Sequence, residues 1–178
     1  MRLDAERLLD TLNRHGVRYV VIGGFAGVLH GLARATEDVD ITPAGDDENL
    51  RRLGAALTEL DALLVPPDAA PIAWPWTPEA MRNFTTLTTR TSAGDFDICL
   101  RPSAPGGRTF TYDELARSAV VIALPPDAPV AALEDVIASK AAAGRVKDEA
   151  MLPELRDLLA HLRSTRGPRG SGTTSDDA

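Results

Sequence analysis

Two aspartates one residue apart, Asp38 and Asp40, lie in the segment GGFAGVLHGLARATEDVDI, which opens on the glycine pair Gly23-Gly24. In a strand, residues i and i+2 share a face with their Cα atoms roughly 6–7 Å apart. Two carboxylates so placed repel unless a cation lies between them, and Asp is disfavoured in strands on its own account. The arrangement suits a hard divalent cation with oxygen ligands, Mg²⁺ (or Mn²⁺), shared with substrate phosphates. A third carboxylate on a neighbouring strand would complete a two-metal site for phosphoryl or nucleotidyl transfer. Asp97, flanked by Phe96 and Ile98, supplies one, and Asp95 shares its face nearer the rim. A Gly-Gly step at a strand-to-helix junction lets backbone approach a phosphate, whose charge the following helix N-terminus favours. Alone, a glycine pair is an ordinary turn and a D-V-D an ordinary solvated strand edge. Joined to a later apolar-Asp-apolar strand, they describe a metal-and-phosphate site.

The elements that must carry these residues follow from periodicity. Leu3, Leu8, Leu9 and Leu12 space as one helix face, stopped at His15-Gly16. RYVVI reads as a buried strand, Phe25 to His30 as a short helix, and Asp38 to Thr42 as a second strand ended by Pro43. Asp46 and Asp47 introduce a helix through Leu60. Leu63 to Pro78, with five prolines and both tryptophans, reads as a loop packed by Trp74 and Trp76. Thr85–Arg90 and Asp95–Leu100 read as a hairpin across Ser92-Ala93-Gly94. Ser103 to Arg108 is a loop, Tyr112 to Arg117 a short helix, and Val120 to Leu124 a strand. From Ala131 the chain is helical, with a break expected near Met151 because Pro153 suits a first helical turn. The expected class is α+β (mixed α/β): a mixed sheet flanked by helices, with a helical C-terminal segment. We expect a core over residues 1–124, a helical segment over 125–163 packed on it as part of the same domain, and a disordered tail over 164–178.

The chain's 178 residues suffice for one domain with its own core. No apolar run is long enough to span a bilayer and the first residues, MRLDAERLLD, resemble no signal peptide, so we expect a cytoplasmic protein with no membrane partner. A single cysteine, Cys99, excludes an internal disulfide and any multi-cysteine metal site. The net charge of −7 gives no global attraction for nucleic acid, so such a substrate needs a local basic cluster. Lys140, Arg145 and Lys147, gathered beside a helix break, form one candidate. They could equally be a solvated helix face, and Arg34 could meet phosphate or pair with Glu37 or an aspartate.

These residues resemble the signature of the DNA polymerase β-type nucleotidyltransferases. It reads here as Ile22-Gly23-Gly24, thirteen intervening residues, Asp38-Val39-Asp40-Ile41, and a later Phe96-Asp97-Ile98. Arg34-Ala35-Thr36-Glu37-Asp38-Val39-Asp40, followed by Lys140, Arg145 and Lys147-Asp148, is similar to the AbiEii-like toxin branch. The resemblance implies a nucleotidyltransferase fold and transfer of NMP from an NTP to a hydroxyl. Asp38, Asp40 and Asp97 would hold metal, and Gly23, Gly24, Arg34, Thr36, Lys140, Arg145 and Lys147 would bind nucleotide, with Asp148 at or near the active site. It further implies tRNA as acceptor and a cognate antitoxin as partner. Transfer to a small molecule or a protein hydroxyl, or an inert binding module of the same fold, are the alternatives. His15, His30 and His161 show no metal-ligand spacing, Ser139 has no visible base, and Cys99 reads as buried and inert.

Overall fold

The computed structural model describes residues 2–123 and 126–165. In chain order the elements are α1 (Ala5–Arg14), β1 (Tyr19–Ile22), α2 (Gly23–Leu29), β2 (Asp38–Pro43), α3 (Asp47–Glu59) and β3 (Leu63–Leu64). Then come α4 (Pro78–Arg82), β4 (Thr86–Thr91), β5 (Gly94–Cys99), β6 (Ser103–Ala104) and β7 (Arg108–Thr109). The chain continues through α5 (Tyr112–Ser118), β8 (Val120–Ile122), β9 (Ala128–Val130), α6 (Leu133–Ala143), α7 (Val146–Glu149) and α8 (Leu152–Thr165).

Local signals set most helix ends. The Asp4 carboxylate accepts from the Arg7 amide to cap α1, Asp46 caps α3 through the Asn49 amide, and Thr111 with Glu114 forms a reciprocal capping box on α5. α6 stops at Gly144, which takes the left-handed conformation (φ 60°).

The seven-stranded sheet has the order β3-β4-β5-β2-β1-β9-β8, with β6 and β7 forming a separate small hairpin. β2 lies antiparallel to β1 and parallel to β5, so the sheet is mixed. Val39, Ile41, Phe96 and Ile98 are fully buried on one face of β2 and β5. They join one apolar cluster with Leu8 and Leu12 of α1 and Leu50, Leu53 and Leu57 of α3. Burying each such side chain contributes about 1.5–3 kcal/mol, and because side chains alternate, the same burial turns Asp38, Asp40, Asp95 and Asp97 to the opposite face. Among the described residues no helix is long and apolar enough to cross a membrane.

Several boundaries differ from the sequence expectation. α2 begins at Gly23, not Phe25, so the chain passes from strand to helix without an intervening turn. The Pro-rich segment contributes the edge strand β3, and Ser103 to Arg108 carries β6 and the start of β7. β9 has no local signature, being three residues with a central proline, and is held by pairing with β1 and β8. The strand expected over Val120 to Leu124 runs from Val120 to Ile122; Leu124 lies outside the described residues. α8 continues through Thr165, two residues into the expected tail, and the rest of that tail lies outside the described residues.

Candidate active site

The register of β2 and β5 assembles the carboxylates. Asp38 stands opposite Asp95, and Asp40 opposite Asp97. Asp40 is pushed up to about 7, first by burial, then by the charges of Asp38 and Asp97, against the pull of Lys140 and Lys147. Asp97 is also raised by burial, with the Thr88 hydroxyl across the ladder drawing it back and Asp38 pushing it up further. Two neighbouring acids thus hold protons more tightly than in water, the signature of a site built to receive positive charge. Asp95 adds only the last of the causes that raise Asp97, and its own carboxylate pairs with Arg90 at 3.0 Å.

The donor set consists of carboxylate oxygens on adjacent strands, which fits a hard divalent cation. Among the described residues no three Asp, Glu, His or Cys side chains stand in metal-ligating geometry. The Thr36 hydroxyl donates to Asp38 Oδ1 at 3.0 Å and is also 3.1 Å from the Asp38 carbonyl oxygen. Thr36, expected by resemblance to bind nucleotide, lines the same cleft and is also hydrogen-bonded to Asp38.

The two glycines are required for different reasons. Ile22 pairs with Asp40 across β1 and β2, which brings the next residue against that side chain. A Cβ on Gly23 would stand 1.9 Å from Asp40 Oδ2, and its φ of +69° disfavours other residues in any case. At Gly24 a Cβ would meet only Thr36 Oγ1 at 3.5 Å and Met151 Cε at 4.0 Å. Protein contacts demand glycine at the first position, whereas at the second they leave open room facing the cleft. No side chain caps α2, so its first amides are free of that partner.

Opposite the aspartates, α6 and α7 meet at a corner made by Gly144. Asp148 is 1% exposed and has both oxygens engaged, Oδ1 by Lys140 Nζ at 2.8 Å and Oδ2 by Arg145 Nε at 2.5 Å. Burial alone would raise its carboxyl, but hydrogen bonds from Lys140 and Arg145 hold it below the usual range. Lys147 is exposed and makes no ion pair among the described residues, yet its charge acts on both Asp40 and Asp97. Arg34 pairs with Glu154 of α8 at 3.2 Å, not with Glu37 or an aspartate.

All eleven candidate residues named from the sequence line one cleft of about 510 Å³. It also takes in two residues that pattern reasoning passed over, Phe110 after the small hairpin and Asp135 one turn before Ser139 on α6, together with Cys99 beside Thr86. Cys99 is half-buried and its thiol is raised by burial, so it lines the cleft as a protonated group. Spacing could have found Asp135, since it and Ser139 share a helix face; nothing local marks Phe110. Trp74 packs edge-to-face on Phe84 and neither tryptophan lines the cleft.

Residues 7–162 match the family described as "Nucleotidyl transferase AbiEii toxin, Type IV TA system", and the chain belongs to that family. No curated protein sequence matches it. Among solved structures, the lincosamide antibiotic adenylyltransferase LnuA with lincomycin bound superposes with a TM-score of 0.59 at 16% identity, covering 89% of this chain and 99% of that one. ANT(2")-Ia in complex with adenylyl-2"-tobramycin gives 0.53 at 15% identity, covering 92% and 97%. At such identity these two share the fold with this chain.

Proposed function

We propose that this AbiEii-family nucleotidyltransferase transfers NMP from an NTP to the 3′-terminal hydroxyl of tRNA, as the toxin of a pair restrained by a cognate antitoxin. The observation that carries the nucleotidyl-transfer chemistry is the in-register meeting of Asp40 and Asp97, with Asp38 beside them and Gly23 closed over Asp40. Asp38 and Asp40, joined by Asp97, would hold Mg²⁺ (or Mn²⁺), which supplies charge neutralisation on the triphosphate.

The chain's own groups divide the remaining work. Open backbone at Gly23 and Gly24 and the first amides of α2 receive the phosphates. Lys147, exposed opposite Asp40 and Asp97, meets their outer oxygens. Asp97, whose carboxyl is raised, takes the proton as the acceptor oxygen attacks the α-phosphorus. The new O–P bond forms as the bond to the β-phosphate bridging oxygen breaks, and pyrophosphate leaves with that electron pair. Phe110 offers a flat apolar surface in the cleft for a base.

A small-molecule or protein hydroxyl is the second reading for the acceptor. It is favoured by the net charge of −7 and by cleft cations that are mostly paired internally, both of which weaken a long-range pull on RNA. Incubation with labelled NTPs and, in parallel, total tRNA, a cell lysate or an aminoglycoside separates the readings. Label on the tRNA 3′ end supports the first. Label only on protein or the small molecule removes tRNA from it.

A further inference from the structure

The sequence resemblance puts Asp148 at or near the active site, and the acid there could be a metal ligand, a base or neither. Its surroundings decide among these. Both oxygens already accept charge-assisted hydrogen bonds, at 2.8 Å from Lys140 and 2.5 Å from Arg145, so the carboxylate's charge is met by two protein cations, unlike those of the sheet aspartates. The residue is buried on α7 and reaches back across the Gly144 corner to α6, joining the two helices by a side-chain bond.

Lys140 is 8% exposed and Asp148 is its one carboxylate partner among the described residues. Burying an ammonium is costly unless an anion is paired with it. Its charge in turn acts on Asp40. Arg145 differs, being largely exposed and able to be solvated without Asp148.

We propose that Asp148 is a positioning residue: it fixes the Lys140 ammonium toward the aspartates, and acts on the nucleotide only through Lys140. This rests on the nucleotidyl-transfer reading above. A residue that works through another has no effect once the other is gone, which a double-mutant cycle reads directly.

The test measures kcat and KM for NTP in wild type, Asp148→Asn, Lys140→Met and the double variant. Asp148→Asn lowers kcat/KM about 30-fold, mainly through KM, in the wild-type background, and less than about threefold when Lys140 is already Met. Should Asp148→Asn fail to fold, Lys140→Met/Asp148→Leu, which replaces the buried pair by apolar groups, is compared with Lys140→Met and follows the same rule. An equal loss in both backgrounds, carried by kcat, overturns the positioning role and makes Asp148 a direct participant. Absence of NTP turnover in the wild-type protein instead overturns the nucleotidyl-transfer reading, and this role with it.

Discussion

Two charged clusters face each other across one cleft and are built in opposite ways. On the sheet, Asp38, Asp40 and Asp97 bring like charges together, and burial, joined by the charges of Asp38 and Asp97, raises Asp40 to about 7. At the α6–α7 corner opposite charges meet instead, with Lys140 and Arg145 both pairing with Asp148, which is lowered. A carboxylate buried between two cations holds them in place, because removing it strands the buried Lys140 charge. A cluster of like charges instead holds free energy that a ligand of the opposite sign releases. The difference separates acids that await a cation from an acid, Asp148, that positions other side chains.

The sharpest way to break the contrast is to neutralise one aspartate. Asp40→Asn should reduce nucleotidyl transfer by about a thousandfold or more while leaving the fold intact, as measured by product formation and circular dichroism. Gly23→Ala comes next. It places a methyl group where Asp40 Oδ2 lies and forces an unfavourable φ, so it should cost roughly 2–4 kcal/mol in thermal or urea unfolding and lower activity as Asp40 shifts. Gly24→Ala, which meets no close protein atom, should leave stability within about 1 kcal/mol and weaken NTP binding instead.

The pH dependence separates the clusters without altering the substrate. Asp40 has a higher affinity for its proton folded than unfolded, so its share of stability falls as pH rises from about 4 to 7 and the loss is complete above that. Asp40→Asn should therefore raise the stability of the metal-free protein at pH 8 by about 2–4 kcal/mol and leave it unchanged at pH 4. Added Mg²⁺ should raise the Tm of wild type more at pH 8 than at pH 6, and should not raise that of Asp40→Asn. Asp148 has the opposite sign: its contribution is present above the ordinary carboxylate range and is lost as pH falls below it. The smallest effect is expected at Lys147→Ala, an exposed side chain: an NTP KM about tenfold higher with an unchanged Tm.

The sequence made the aspartate face legible because strand alternation and an apolar partner for each acid are local patterns. Val39 and Ile41 announce a strand whose other face holds Asp38 and Asp40, and Phe96 and Ile98 do the same for Asp97. That β2 and β5 are direct parallel neighbours in matching register is a non-local fact, carried by no residue in either strand. The balancing partners were hidden for the same reason. Arg34 meets Glu154 across 120 positions, a pairing that no spacing rule reaches. β9 is the extreme case, with Pro129 inside it and its place beside β1 set by tertiary pairing alone.

The central claim is that the unbalanced aspartates move the α-phosphoryl group of an NTP with its nucleoside. Parallel reactions with NTP labelled at the α-phosphate and at the γ-phosphate, with total tRNA as acceptor, test it directly. The account predicts label on RNA from the α-position only, pyrophosphate carrying the γ-label, and neither product from Asp40→Asn. Transfer of the γ-label to an acceptor, or equal incorporation by wild type and Asp40→Asn, would contradict it.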